Sequence, residues 1–190
     1  MATFKIECRQ SLGYSHFGGD VTTHGESTVE LTDEEVKTLV DLIREKNTTD
    51  VDKLELMEKH PDLYGKLDDA YRSMARRTEE LYWLWDGYDN GYYEYDTEDL
   101  MDYCERECGY EYHPSDNVIT DEEDEDYDEE ALEEDKIETF SDWLYDYLSG
   151  LSDVDAIDFF YNHMDAEVDL DDVEYKVGIP ADIIKMATAS

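Results

Sequence analysis

Residues 61–87 read PDLYGKLDDAYRSMARRTEELYWLWDG, and this stretch predicts one long helix. Pro61 suits the first helical position, because the amide hydrogen that proline lacks would have no partner there. Apolar side chains recur every three or four residues for about six turns, which is the spacing of one helix face. These side chains are Leu63, Leu67, Ala70, Tyr71, Met74, Leu81 and Trp85. We expect the helix to end near Gly87.

Two short strands and a capped helix are expected before this stretch. Residues 3–8 alternate apolar and polar side chains, which predicts a half-buried strand, and residues 27–31 predict a second one. Thr32 and Glu35 have the spacing of a capping box, in which each side chain accepts a backbone amide proton of the other residue. A short helix is expected around residues 51–57.

Three helices are expected after the long one. Thr97 is placed to cap the first, which Gly109 closes, and the second runs from 128 to 149 with Gly150 as its stop. Ser152 is placed to cap the third.

The chain ends with a predicted strand and a short helix. Residues 173–179 alternate in hydropathy and are followed by Pro180, which predicts a strand that joins the N-terminal pair. The predicted fold class is therefore α+β: mostly helical, with a small antiparallel or mixed sheet formed by the N-terminal strands and a C-terminal strand.

The charge of the chain is unevenly distributed. The 190 residues include 54 acidic and 15 basic ones, a net charge of -39. Residues 1–77 carry 11 basic and 16 acidic residues, whereas residues 78–190 carry four basic and 38 acidic residues. Adaptation to high salt would acidify both halves, so the asymmetry indicates a specialised acidic half. We divide the chain into a near-neutral scaffold half, 1–87, and a strongly acidic half, 88–190, within one compact domain.

This composition excludes several classes of function. Direct binding to nucleic acid or to an anionic membrane needs a basic surface, and no run of about 20 apolar residues could span a bilayer. Three cysteines without metal or redox spacing, and no secretory leader, predict reduced thiols in the cytoplasm. The 13% aromatic content nevertheless predicts a folded chain rather than a disordered one.

No motif for catalysis or for a cofactor is found. The chain has no nucleophile elbow, glycine-rich phosphate loop or zinc-protease motif, and its five histidines are scattered. Asp124, Asp126 and Asp128 have the alternate spacing of a calcium loop, but Glu129 stands where the sharp turn needs glycine. We therefore expect no enzymatic activity, no cofactor and no dedicated metal site.

The densest acidic run is residues 121–135, DEEDEDYDEEALEED, with 12 carboxylates and no basic residue. On the following helix, five acids between 134 and 146 are expected to share the side opposite the apolar residues. Their spacing is roughly one carboxylate per 4 Å, close to the one phosphate per ~3.4 Å of a DNA strand. The expected partner-binding residues are Glu134, Asp135, Glu138, Asp142, Asp146, Asp121, Glu122, Glu123, Asp124, Asp126 and Asp128.

In composition, residues 78–190 resemble DNA-mimic proteins, many of which are phage or mobile-element inhibitors of restriction or CRISPR nucleases. The resemblance implies an inhibitor whose carboxylates occupy the nucleic-acid-binding site of a basic protein. Two alternatives remain open: an acidic adaptor or chaperone for a histone-like or ribosomal protein without duplex mimicry, and an acidic cytoplasmic domain of another kind. The ten tyrosines and tryptophans between residues 82 and 112 fit either a core or a surface that stacks on partner arginines.

Overall fold

The computed structural model describes residues 1–11, 22–171 and 175–189. The predicted α+β class, mostly helical with a small sheet of N-terminal strands, is confirmed. The elements are β1 (Ala2–Ser11), β2 (Thr22–Leu31), α1 (Asp33–Lys46), α2 (Lys53–Lys59), α3 (Pro61–Asp89), α4 (Thr97–Glu107), α5 (Glu129–Gly150), α6 (Asp153–His163) and α7 (Ala181–Thr188). Within the described ranges, no helix combines the length and the apolar character that crossing a bilayer requires.

Packing divides the described residues into two compact units. The first unit comprises residues 1–11, 22–83, 168–171 and 175–189, and the second comprises residues 84–167. Helix α3 contributes residues to both units. The unit boundary falls four residues before the division by charge at residue 87. The described C-terminal residues, 168–171 and 175–189, nevertheless pack with the N-terminal ones.

Strands β1 and β2 form an antiparallel hairpin whose register runs from Ala2 opposite Leu31 to Ser11 opposite Thr22. The predicted strands lie inside the observed ones, which are longer at the turn end. Phe4 and Ile6 are buried on one face together with Val29 and Leu31, as the alternation of polar and apolar residues requires. The expected glycine-rich connection at Gly13, Gly18 and Gly19 lies outside the described residues.

Local capping signals account for most helix starts. The Glu35 amide donates to Thr32 Oγ1 at 3.2 Å and the Thr32 amide donates to Glu35 Oε2 at 2.8 Å, so the capping box is confirmed. Ser152 caps α6 as expected, with its hydroxyl accepting the Asp155 amide at 3.2 Å. For α4 the expectation was one residue off, because Asp96 rather than Thr97 accepts the first-turn amide, that of Asp99 at 3.0 Å.

The expected C-terminal strand does not join the sheet. The sheet has two strands in the described part of the chain, and residues 175–179 form no strand, while 173 and 174 lie outside that part. Val177 and Ile179 instead pack against the apolar core of the first unit. Gly178 is buried against Tyr71 of α3, where an added Cβ would lie 2.5 Å from Tyr71 Cγ and 2.9 Å from Tyr71 Cβ. The alternating hydropathy therefore reflects burial against a helix rather than strand pairing.

The core of the first unit joins the hairpin to α1, α2, α3 and α7. Ile183 and Ala187 of α7 are buried in this core. Arg44 of α1 ties down the end of α7, because its Nε donates to the Ala187 carbonyl at 3.0 Å and its Nη2 donates to the Met186 carbonyl at 2.9 Å. The guanidinium thereby supplies donors to carbonyls that the last helical turn leaves free.

The core of the second unit is built from aromatic rings. Phe160 of α6 is fully buried and meets Trp85 of α3 edge to face, with ring centroids 5.4 Å apart. Tyr110 meets Phe140 of α5 in the same geometry at 5.1 Å. Of the ten tyrosines and tryptophans of residues 82–112, Trp85, Tyr88 and Tyr110 are buried, whereas Trp83 and Tyr92 are 42% and 72% exposed.

The close approach of Gly178 to Tyr71 generates a stability prediction. We expect Gly178→Ala to lower the free energy of unfolding by about 1–3 kcal/mol, because Tyr71 can make room for a Cβ only if its own Cβ on α3 moves. Chemical denaturation of the two proteins measures the difference.

Gly65→Ala is the matched control, since Gly65 lies within α3 with open space around its Cα. It should gain about 0.5–1 kcal/mol from helix propensity. Equal stability of Gly178→Ala and the unsubstituted protein would contradict the close packing of residues 175–179.

Candidate anionic interface

The second unit holds most of the excess negative charge. Residues 84–167 include 31 acidic and two basic residues, a net charge of -29, whereas the rest of the chain has 23 acidic and 13 basic residues, a net charge of -10. Lys136 contacts Glu133 at 3.1 Å, and His113 approaches Glu111 at 3.9 Å, a pair only when the imidazole is protonated. With 31 acidic and two basic residues, this unit contains too few cations to pair with most of its carboxylates.

In the first unit, several acids form ion pairs with lysine or arginine side chains. Lys66 lies 2.7 Å from Glu35 and Arg72 lies 3.1 Å from Asp68. Glu55 accepts hydrogen bonds from both Lys46 and Lys59, and these two ammonium groups lower the pKa of Glu55 to about 2. Glu35, Glu55 and Asp68 are thus engaged within the chain.

Helix α5 carries the most regular set of exposed acids, which we call the α5 row: Glu134, Glu138, Asp142 and Asp146. All four are exposed, while Phe140, Leu144 and Leu148 of the same helix are buried. Successive members are four residues apart and thus lie about 6 Å apart along the helix axis, so the row extends over about 18 Å. The structure therefore brings four of the five predicted helix acids together along one exposed side.

Asp135, the fifth predicted helix acid, is engaged inside the chain. Its carboxylate accepts hydrogen bonds from the Tyr112 hydroxyl at 2.5 Å, from the Ser115 amide at 3.2 Å and from the Ser115 hydroxyl. The pKa of Asp135 lies below its ordinary value because of the hydrogen bonds from Ser115 and, to a smaller extent, the one from Tyr112. Burial and the bond to Asp135 raise the pKa of Tyr112 to about 12. Asp135 therefore holds the loop before α5 against the helix.

The segment 121–128 uses three of its aspartates to shape its own backbone. Asp121 accepts the Glu123 amide and Asp124 accepts the Asp126 amide, both at 3.0 Å. Asp128 caps α5 by accepting the amides two and three residues ahead, at 3.0 and 3.2 Å. Each of these bonds involves one carboxylate oxygen, and all the predicted contact residues of the segment remain exposed: Asp121, Glu122, Glu123, Asp124, Asp126 and Asp128.

One apolar residue beside the α5 row was not expected at the surface. Ile137 belongs to the apolar set that defines α5 in the sequence, yet it is 49% exposed. It lies next to Glu138 in the chain and one turn from Glu134. An exposed aliphatic side chain among carboxylates is accessible for a hydrophobic contact with another molecule. Helical periodicity could not reveal this, because it does not show where the core stops covering the helix.

The hairpin holds a cluster of possible metal ligands that the sequence analysis missed. One ligand atom from each of Glu7, His24 and Glu26 lies within 4.8 Å of the others. The cross-strand pairing of Glu7 with Glu26 brings them together. Lys5 already contacts these two carboxylates at 3.1 and 2.5 Å, so a cation would have to displace its ammonium group. The cluster is therefore an ion-pair network of the first unit.

Comparison with known proteins gives no relative: no protein-family model, curated protein or solved structure matches this chain. What distinguishes the second unit is the chemistry of its surface, which carries carboxylates in large excess over cations.

Two neighbouring acids of α5 should differ in how the loss of their charge affects the melting temperature. We expect Asp135→Asn to lower the melting temperature at pH 7 by a few degrees, because it weakens the bonds to Tyr112 and Ser115. Glu134→Gln should leave the melting temperature unchanged or raise it, because it removes a like-charge neighbour of Glu138.

The pH dependence gives a second measure of the same contrast. The lowered pKa of Asp135 means that its carboxylate stabilises the fold above its unfolded-state pKa of about 3.9, and that this stability is lost as pH falls through the lower folded-state value. Thermal melts between pH 7 and pH 3 should therefore show the Asp135→Asn deficit shrinking on acidification. A gain in stability from Asp135→Asn at pH 7 would contradict the assigned role.

Proposed function

We propose that this chain is an inhibitor that imitates nucleic acid and occupies the nucleic-acid-binding site of a basic protein. Restriction, CRISPR and other defence nucleases are the class of partner that such a surface fits. The observation that carries the proposal is the exposed α5 row in a unit with 31 acidic and two basic residues. The surface needs no recognition of bases, because the partner's phosphate contacts supply most of its non-specific affinity.

The charge of the second unit matches a short piece of duplex. Duplex DNA carries one negative charge per ~1.7 Å, so a net charge of -29 equals that of about 49 Å, or roughly 15 base pairs. A folded unit with this charge would attract a basic cleft over distances of about a Debye length and raise the association rate. The attraction should weaken steeply with salt.

The α5 row alone does not reach the charge density of a DNA strand. Its carboxylates follow one another about every 6 Å, compared with one phosphate per ~3.4 Å of axis on a single strand. Since Asp135 is engaged within the chain, further charge has to come from residues 121–130, which lead directly into α5. We propose that this segment and the α5 row act together as the contact surface.

The low charge density of the row also supports a second candidate function, an acidic adaptor or chaperone for a basic protein. Such a protein needs many exposed carboxylates but no fixed spacing between them. It would bind a histone-like or ribosomal protein without excluding DNA from the partner's own site. Competition with duplex DNA separates the two candidates.

We propose that the protein acts in the cytoplasm, without catalysis, without a cofactor and without binding nucleic acid directly. Cys8, Cys104 and Cys108 are free thiols, which suits a reducing compartment. The carboxylate excess of the second unit would repel a phosphate-bearing substrate or a nucleic acid backbone.

Competition with duplex DNA tests the proposal. The immobilised protein is used to capture DNA-binding partners from a lysate, and a 20-base-pair duplex is then titrated over the complex. Nucleic-acid mimicry predicts that the duplex releases the partner, and that free protein releases the partner from immobilised duplex. A ternary complex of protein, partner and duplex would contradict mimicry and support the adaptor. Polyglutamate at equal charge controls for release by ionic strength.

The α5 row should carry a measurable part of the binding. We expect replacement of its four members, Glu134→Gln, Glu138→Gln, Asp142→Asn and Asp146→Asn, to weaken capture roughly tenfold or more. Four exposed pairs at about 0.5 kcal/mol each amount to ~2 kcal/mol. The dependence of binding on salt should also become less steep, while the helix content is retained.

The matched control removes four exposed carboxylates from the first unit. These substitutions are Glu30→Gln, Glu58→Gln, Asp50→Asn and Asp69→Asn, which remove the same number of negative charges. Binding isotherms at several salt concentrations should show a smaller loss for this variant. Equal losses in both variants would show that total charge, and not the α5 row, determines capture.

A further inference from the structure

The second unit contains an acidic cleft that lies outside the contact residues proposed above. It has a volume of about 400 Å³ and is lined by residues from the start of α4 and the end of α6. This volume falls within the range of about 300–1,000 Å³ typical of sites for small ligands. The cleft is therefore large enough to receive a whole side chain of another molecule.

One wall of the cleft is a stacked pair of rings. Tyr103 of α4 and His163 at the end of α6 lie with ring centroids 4.1 Å apart and an interplanar angle of 22°. Both rings are partly buried, and each also packs against Phe159 of the core. Contact with the core fixes the position of the wall, so a ligand would meet a preformed aromatic surface.

The cleft also presents four carboxylates, those of Glu94, Asp96, Asp99 and Asp165. Asp96 uses one oxygen to cap α4. The two basic residues of this unit, Arg106 and Lys136, are not among the lining residues. Aromatic rings and several carboxylates around one cleft make a site whose complement is an organic cation.

We propose that this cleft binds an arginine side chain. A guanidinium group is planar, so it can stack on the face of the Tyr103 ring opposite His163 while its N–H groups donate in pairs to Glu94 or Asp99. An ammonium group is a compact point charge that offers no such flat face. The inference rests on the proposed function in one respect: the arginine belongs to the basic partner, and the cleft adds an anchoring point away from the α5 row.

N-acetyl-arginine methylamide is the probe for the test, with the corresponding lysine and citrulline derivatives beside it. Titration is followed by ¹H–¹⁵N NMR of the whole chain. We expect the amide shifts to concentrate in residues 94–103 and 161–165. Arginine should bind at least about threefold more tightly than lysine, and neutral citrulline should show no measurable binding.

Two variants and a matched control locate the binding. Tyr103→Leu and the double variant Glu94→Gln/Asp99→Asn should each weaken arginine binding at least about fivefold. Glu105→Gln/Glu111→Gln removes two exposed charges from α4 and the segment after it, neither of which lines the cleft, and it should change binding less than about twofold. The double variant replaces only exposed side chains, so it remains informative if Tyr103→Leu unfolds.

Three results would contradict the proposal that the cleft binds an arginine side chain. They are shifts spread along the α5 row, equal binding of citrulline, and an equal loss in the Glu105/Glu111 control. The probe assay contains no partner, so a negative result leaves capture through the α5 row unaffected. Conversely, a ternary complex with duplex DNA would remove the mimicry proposal while leaving arginine binding in the cleft intact.

Discussion

Ring packing in residues 84–167 has to offset the repulsion among 31 acidic residues that share two basic ones. Phe160 sits at the centre, with the rings of Trp85, Tyr88 and Tyr93 at centroid distances of 5.4, 5.8 and 6.3 Å. Each such ring pair contributes about 0.5–1.5 kcal/mol beyond the area it buries, whereas a like-charge pair four residues apart on a helix costs a few tenths. A helix packed on these rings can therefore carry an uninterrupted row of carboxylates at modest cost.

Some acids of this unit form hydrogen bonds within the chain and stabilise its fold. Asp96 and Asp128 cap helices, and Asp135 accepts three hydrogen bonds from the loop that precedes α5. A carboxylate that accepts donors within the chain stabilises the fold, whereas one in the α5 row opposes it slightly. The acids of one helix thus fall into structural and solvent-facing groups that share a chemistry but differ in the sign of their effect on stability.

The contrast between the two units bears on the choice of function. The first unit pairs acids such as Glu35 and Glu55 with lysines, whereas the second, with two basic residues for 31 acidic ones, can do so for very few acids, such as Glu133 with Lys136. A requirement for solubility alone gives no reason for one part of a chain to differ so strongly from another. An excess concentrated in one unit is what an electrostatic contact with a basic partner needs, whether the partner reads the spacing of the charges or only their number.

Helix starts and the hairpin could be predicted from sequence because their determining interactions are local. The capping box of Thr32 and Glu35 closes within three residues, and Pro61 acts on its own backbone. Exposure of Glu134, Glu138, Asp142 and Asp146 followed from helical periodicity for the same reason.

Interactions between residues that are distant in sequence could not be predicted from the sequence and are seen only in the tertiary structure. Asp135 is engaged within the chain because Ser115, 20 residues earlier, donates to it. Residues 175–179 alternate like a strand, but Gly178 fits against Tyr71 more than 100 positions earlier, and helix packing replaces strand pairing. The cleft between α4 and α6 likewise depends on the stacking of Tyr103 on His163. Sequence alone determined where helices begin and where charge accumulates, since both depend on near neighbours; only the folded chain decided which carboxylates remain free, because their donors are brought in from far along the chain.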